Sequence, residues 1–134
     1  GFLWVVVTNQ PDIARGTQTR AGVDRIHETL RALVSVDEIC VCPHDDADGC
    51  ACRKPQPGML LEAAERLNLD LSRSVCVGDR WRDIEAAQRA GVRSVHIDGN
   101  SGEQPVVGAD AVAASLLDAM AWIRTFSRRE GEQT

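Results

Sequence analysis

Little in this chain suits a nucleic acid, a membrane or an oxidising exterior. There is no surplus of positive charge: the formal net charge is −5, whereas a non-specific nucleic-acid binder usually carries a basic patch. No apolar run is long enough to cross a bilayer and no leader-like segment opens the chain, so a cytoplasmic protein without membrane contact is expected. Cysteine occurs five times, an odd count that disfavours a disulfide framework and fits a reducing compartment. Internal repeats, low-complexity tracts and any obvious apolar surface stripe are absent. With 134 residues, 43% of them hydrophobic, one compact domain with its own core and a monomeric state are expected.

What is present is an alternation of short apolar, β-branched runs with helical patterns, the pattern of a parallel sheet covered by helices on both faces. Strands are expected at about Phe2–Val7, Glu38–Val41, Ser74–Val77, Ser94–Ile97 and Asp110–Val112. Between them Val23, Ile26, Leu30, Leu33 and Val34 form one apolar helical stripe, with His27 on its flank. Pro57 suits the first turn of a second helix whose core positions are Met59, Leu60, Ala63, Ala64 and Leu67. A third helix over about Arg82–Ala90 stops at Gly91, and a last one runs from a Ser115 cap through Leu116, Leu117, Met120 and Ile123, with Trp122 adjacent. A Gly- and Pro-containing loop separates Asp98 from Gly108. The expected fold is α/β, three layers with a doubly wound, mostly parallel sheet over residues 1–126, followed by a fraying polar tail at 127–134.

The densest chemistry lies at Cys42-Pro43-His44 and Cys50-Ala51-Cys52, followed at once by Arg53-Lys54-Pro55. Three thiolates and one imidazole complete a tetrahedral Zn²⁺ shell, and a closed shell leaves no position for a water nucleophile, so a zinc loop at 42–52 would be structural. Cys40 could replace one ligand, although it reads as a core residue; Cys76 reads as a small buried hydrophobe. Lys54 offers a point charge for phosphate and Arg53 a planar fork. Strand Phe2–Val7 runs into Thr8-Asn9-Gln10, where a hydroxyl and backbone N–H groups could receive phosphate oxygens, or simply form a turn. Strand Ser74–Val77 runs into Gly78-Asp79-Arg80-Trp81-Arg82-Asp83. If a helix begins there, the two carboxylates share a face, so that Asp79 could bind Mg²⁺ while Asp83 orients water, lysine or backbone; a capping Asp followed by a solvated one would look the same. These places are comparable ends of parallel strands, where ligands of such sheets bind.

Taken together, Val7-Thr8-Asn9-Gln10 with Ile13-Ala14-Arg15-Gly16, Cys42-Pro43-His44, Cys50-x-Cys52-Arg53-Lys54-Pro55-x-Pro57-Gly58-Met59-Leu60, and Val77-Gly78-Asp79 with Asp83 resemble the haloacid-dehalogenase-like phosphohydrolases. Within that family the likeness is to the subgroup holding heptose 1,7-bisphosphate and histidinol-phosphate phosphatases, and it spans roughly residues 3 to 98. The resemblance implies that Thr8 contacts the transferring phosphoryl group, that Asn9, Gln10 and Pro11 line the substrate loop, and that Arg53 and Arg80 contact substrate. It further implies that Lys54 neutralises phosphoryl charge and that Asp79 binds Mg²⁺. Many relatives have Ser at the Pro11 position and Lys at the Arg80 position. The implied reaction is Mg²⁺-dependent hydrolysis of a small phosphomonoester through an aspartyl-phosphate.

The family's nucleophile is an aspartate in an Asp-x-Asp motif that ends the first, central strand, and no strand here ends in one. Asp12 is followed by Ile13-Ala14, and Asp45-Asp46-Ala47-Asp48 lies in the metal loop as a solvated turn, so neither is a substitute. The expectation is that the natural chain carries a further segment ahead of Gly1. Without it, two sheet halves with unpaired apolar edges and an inactive, poorly folded chain are expected. Two rival functions stand beside phosphatase: a non-catalytic zinc-stabilised phosphate-binding module, and a thiol redox sensor built on Cys40, Cys42, Cys50 and Cys52.

Overall fold

A computed structural model describes residues 2–99 and 103–132. The apolar runs form five strands, β1 (Val5–Asn9), β2 (Glu38–Cys42), β3 (Val75–Gly78), β4 (Arg93–Ile97) and β5 (Ala111–Ala113). The helices are α1 (Pro11–Arg15), α2 (Arg20–Leu33), α3 (Gly58–Leu67), α4 (Trp81–Ala90) and α5 (Leu116–Glu132). All strand pairs are parallel, with α2 and α4 supplying the crossovers within β1–β2 and β3–β4. They make two sheets: β1 pairs with β2 from Val5 opposite Glu38 to Asn9 opposite Cys42, and β3–β4–β5 form the second.

Each sheet has its own core. Cys40, Cys42, Met59 and Ala63 pack with Val5, Val7 and Leu69 beneath the first, with Met59 and Ala63 one helical turn apart on α3. Val95, Ala113 and Ala119 pack with Val75, Val77 and Trp122 beneath the second. Trp122 stacks on Phe126 at 5.6 Å between centroids, and the Arg93 guanidinium sits 4.7 Å from the Phe126 ring centre. Ile84 on α4 is fully buried, worth about 1.5–3 kcal/mol by area removed from water. Between the sheets, β1 and β3 share no ladder, and their Val5, Val7, Val75 and Val77 line a cleft of ≈ 690 Å³.

Several expectations need correcting. The first strand starts at Val5, leaving Phe2, Leu3 and Trp4 about half exposed, and it continues through Thr8 and Asn9 because their backbones still pair with Val41 and Cys42. The stripe on α2 is buried only at Val23; Ile26 is 60% and Leu33 78% exposed, since a two-stranded sheet offers too narrow a face to cover it. Residues 127–132 continue α5 rather than forming a tail, in keeping with the helix propensity of Arg128 and Arg129. The short helix α1 was not expected; Pro11 at its first position and Gly16 in the left-handed region bound it. Of the expected loop at 98–108, residues 100–102 lie outside the described residues, as do Gly1, Gln133 and Thr134. Among the described residues no helix is long and apolar enough to cross a membrane.

Candidate functional site

The candidate metal ligands sit where β2 ends. Cys42 closes the strand, His44 follows, a 3₁₀ turn at Asp46–Asp48 ends in left-handed Gly49, and the chain returns with Cys50 and Cys52. Their ligand atoms all lie within 4.8 Å of one another. The Cys52 and Cys42 sulfurs are 2.8 Å apart, and His44 Nδ1 is 3.3 Å from Cys52 Sγ and 3.6 Å from Cys42 Sγ. Cys40, on the same strand, is buried in the core and is not one of this group. Burial pushes the Cys42 thiol up. Burial also acts upward on Cys50, but hydrogen bonds from the backbone N–H groups of Arg53 and Cys52 and from the neighbouring thiols outweigh it and bring that thiol down to about 7. The N–H of Gly58 donates to the Ala51 carbonyl at 2.9 Å, and a Cβ at Gly58 would run into that carbonyl, so glycine lets α3 start directly against the loop.

The acidic run inside this loop is a set of ion pairs, not the solvated turn expected from sequence. Asp45 accepts both Nε and Nη2 of Arg15 from α1, at 2.6 and 2.7 Å, and this holds its carboxyl down at about 2. Asp46 accepts Arg53 Nε at 2.7 Å and Arg82 Nη1 at 3.3 Å on one oxygen, the Arg53 bond being the main reason its carboxyl is lowered. Asp48 accepts the Asp45 N–H at 2.7 Å. Arginine side chains that reach between distant elements leave no periodic signal, which is why Arg15, Arg82 and the two aspartates are not legible from sequence in these roles.

Lys54, the chain's only lysine, joins the two sheets. Its ammonium lies 3.0 Å from the Val7 carbonyl of β1 and 2.5 Å from Asp83 Oδ1 on α4, and both side chains of the pair are only 13% exposed. The second oxygen of Asp83 accepts the Arg80 N–H at 3.2 Å at the start of α4. Gly78 ends β3 so close by that a Cβ there would strike the Asp83 side chain. Cys76, also facing this cleft, has its thiol pushed up to about 11 by burial and by Asp83, with Lys54 opposing.

Thr8 lies within β1 and its hydroxyl accepts Gln10 Nε2 at 3.0 Å; the Gln10 N–H donates to the Cys42 carbonyl at 2.8 Å. Asn9 uses both ends of its amide on the Lys54 backbone, accepting the N–H at 3.0 Å and donating to the carbonyl at 3.3 Å. Pro11 opens α1 and lines neither this cleft nor the smaller pocket beside it. Arg53 lines that pocket, of ≈ 180 Å³, together with Lys54, Asp46 and Gln56; its Nη1 is buried without a partner among the described residues. Asp79 and Arg80 are exposed. α4 begins at Trp81, so Asp79 precedes the helix and the shared-face argument for Asp79 and Asp83 does not hold; the end of β3 places Asp79 instead. Among the described residues the Asp79 carboxylate has no hydrogen-bond or ion-pair partner, while Arg80 Nη1 pairs with Glu103 at 3.4 Å.

Residues 51–119 match the family model for HAD-hydrolase-like proteins. The D-glycero-β-D-manno-heptose-1,7-bisphosphate 7-phosphatase of Bordetella bronchiseptica is 47% identical over 95 residues, which cover 66% of this chain and 53% of that enzyme. The enzyme of that name from Pseudomonas putida is 38% identical over 128 residues, 92% of this chain and 73% of its own length. The chain thus spans about half the length of the first of these relatives. Among solved structures, the B. bronchiseptica D,D-heptose 1,7-bisphosphate phosphatase complexed with magnesium and phosphate superposes with a TM-score of 0.82 at 35% identity, covering 92% of this chain and 74% of that one. A HAD-like phosphatase from Mesorhizobium loti superposes at 0.74 with 32% identity, over 96% of this chain and 67% of that one.

Proposed function

The chain belongs to the haloacid-dehalogenase-like phosphatases, and from that premise we propose that it carries the phosphate-holding part of a Mg²⁺-dependent phosphomonoesterase acting on a small sugar phosphate of the heptose 1,7-bisphosphate type. One observation carries the reading: the sole lysine is held between the middle of β1 and the first turn of α4, 3.0 Å from Val7 O and 2.5 Å from Asp83, with its ammonium on the cleft. A largely desolvated ammonium fixed in advance costs little reorganisation when phosphoryl charge shifts in the transition state.

In this reading Thr8, whose hydroxyl oxygen already accepts from Gln10, keeps its proton for a phosphoryl oxygen, and Lys54 neutralises a second one. Asp83 orients the lysine. The unpartnered Nη1 of Arg53 faces a polar group of the substrate, with Arg80, Gln10 and Pro11 at the rim. Asp79, a hard oxygen donor with no partner among the described residues, fits Mg²⁺, which when bound would supply Lewis-acid polarisation of the phosphoryl oxygens. The nucleophilic carboxylate of such chemistry would have to reach Lys54 through the cleft between β1 and β3. Asp83 is committed to Lys54 and Asp46 to two arginines, so neither is free to attack.

The Cys42, His44, Cys50 and Cys52 set fits Zn²⁺ by its donor chemistry: four edges of 3.3–3.6 Å lie near the roughly 3.8 Å edge of a tetrahedron with bonds of about 2.3 Å to sulfur, and the shorter 2.8 Å Cys42–Cys52 edge would open on binding. A filled shell of four protein ligands makes that metal structural, stiffening the loop that delivers Arg53 and Lys54.

Binding of inorganic phosphate tests the reading without requiring a nucleophile. Mg²⁺-dependent, saturable binding is expected by calorimetry, weakened at least about tenfold in Lys54→Ala, the scale of one lost charge-assisted hydrogen bond. Equal binding by Lys54→Ala would remove Lys54 from the site. Calorimetric binding of heptose 1,7-bisphosphate compared with histidinol phosphate tests the substrate class, tighter binding of the former being expected.

A further inference from the structure

The Lys54 peptide is gripped as firmly as its ammonium. Its N–H donates to Asn9 Oδ1 at 3.0 Å, and its carbonyl accepts from Asn9 Nδ2 at 3.3 Å and from Arg82 Nη1 at 3.3 Å. The orientation of the Asn9 amide is dictated by its partners, because a backbone N–H can only donate and a carbonyl only accept. A primary amide serves both at once on two separate atoms; Asp offers acceptors alone and Ala neither. Asn9 thereby imitates one rung of a parallel ladder, joining the end of β1 to a loop too irregular to pair. Arg82 braces the same carbonyl from α4 while its Nη1 also bonds Asp46. With four rotatable bonds between them, the Lys54 backbone and ammonium must both be fixed for the charge to stay in place.

We propose that Asn9 is a positioning residue that acts on bound phosphate through Lys54, with Arg82 as its second brace, and that it does not itself touch the ligand. This assignment deepens the phosphate-anchor reading of Lys54 and rests on it. It differs from the role that family resemblance implies for Asn9, because both polar atoms of the amide are already engaged.

The single lysine makes the test direct. In the full chain labelled with ¹³Cε-lysine, one Lys54 resonance is expected, and inorganic phosphate with Mg²⁺ should shift it saturably. In phosphate-free Asn9→Ala the resonance should already move toward the position of free lysine, with phosphate affinity about tenfold lower. Arg82→Gln should change both in the same direction, and it serves if Asn9→Ala fails to fold. An unchanged phosphate-free resonance in both variants would overturn the proposal. So would an unchanged resonance combined with weakened phosphate binding in Asn9→Ala, which would mean that Asn9 contacts the ligand. If phosphate leaves the wild-type resonance unmoved, the anchor reading of Lys54 fails. The phosphate-free comparison still decides whether Asn9 holds the lysine.

Discussion

Asp83 and Lys54 form an ion pair at 2.5 Å that crosses from one sheet to the other, with each side chain 13% exposed. Lys54 belongs to the loop packed on β1–β2, and Asp83 to the helix packed on β3–β4. Since β1 and β3 share no ladder, the pair is a principal polar tie across the cleft. Removing one partner of a buried pair leaves the other desolvated and uncompensated, at a cost of up to about 3–5 kcal/mol.

Asp83→Ala is therefore expected to lower stability by an amount in that range, while Asp83→Asn, which keeps the shape of the side chain and whose single amide oxygen can keep one of the two bonds, should lose less. Denaturant midpoints of the two variants, read with unchanged slopes, check the order. A loss below about 0.5 kcal/mol for Asp83→Ala, the size of an ordinary surface change, would mean that the pair is solvated.

Removal of metal gives the second expectation. The purified protein should hold about one zinc per chain, and Cys50→Ser and Cys52→Ser should each lower that content. Chelation should reduce thermal stability, because metal-binding free energy is part of folding free energy where the ligands are disordered in the unfolded chain. Elemental analysis before and after chelation, paired with melting curves, measures both. A melting temperature indifferent to chelation would argue that the ion pairs of Asp45 and Asp46 hold the loop unaided.

The ends of the strands were largely legible in the sequence, whereas what lies between the ends was not. The Cys and His cluster, Lys54 and Asp83 announce themselves through residue type and spacing, and the structure brings the four Cys and His donor atoms within 4.8 Å of one another. The period of α3 points to Met59 and Ala63, which are buried because this helix covers a sheet face. The stripe on α2 has the same period yet stays mostly exposed, since periodicity encodes a face but not whether a neighbour is wide enough to cover it. The shared face of Asp79 and Asp83 depended on a helix beginning at Asp79, and α4 begins two residues later. Arg15 and Arg82 carried no local signal at all, because an arginine that reaches across elements looks in sequence like any solvated one.

Acid titration should single out Asp45. Arg15 holds its carboxyl at about 2 in the folded protein, below the unfolded value near 3.8. A depressed folded value means that the contribution is fully present above the unfolded value and lost as pH falls from about 4 toward 2. In ¹³C carboxyl titrations Asp45 should be the late titrator, and Arg15→Ala should return it toward the ordinary carboxylate range. An Asp45 midpoint unchanged by Arg15→Ala would show that backbone donation, not the guanidinium, sets it.

Two glycines test the packing around Lys54 separately. A Cβ at Gly58 would run into the Ala51 carbonyl, which cannot move without displacing Cys50 and Cys52, whereas a Cβ at Gly78 would strike the Asp83 side chain. Both substitutions should destabilise by about 1–3 kcal/mol, the usual cost of overpacking. They should differ in what else they disturb. Gly58→Ala should lower zinc content and leave the Lys54–Asp83 pair in place. Gly78→Ala should keep zinc and push Asp83 off Lys54, so that adding Asp83→Asn to it costs less than the same change made in the wild type. A double-mutant cycle in denaturant measures that difference, and simple additivity would show that Asp83 yields without losing the lysine.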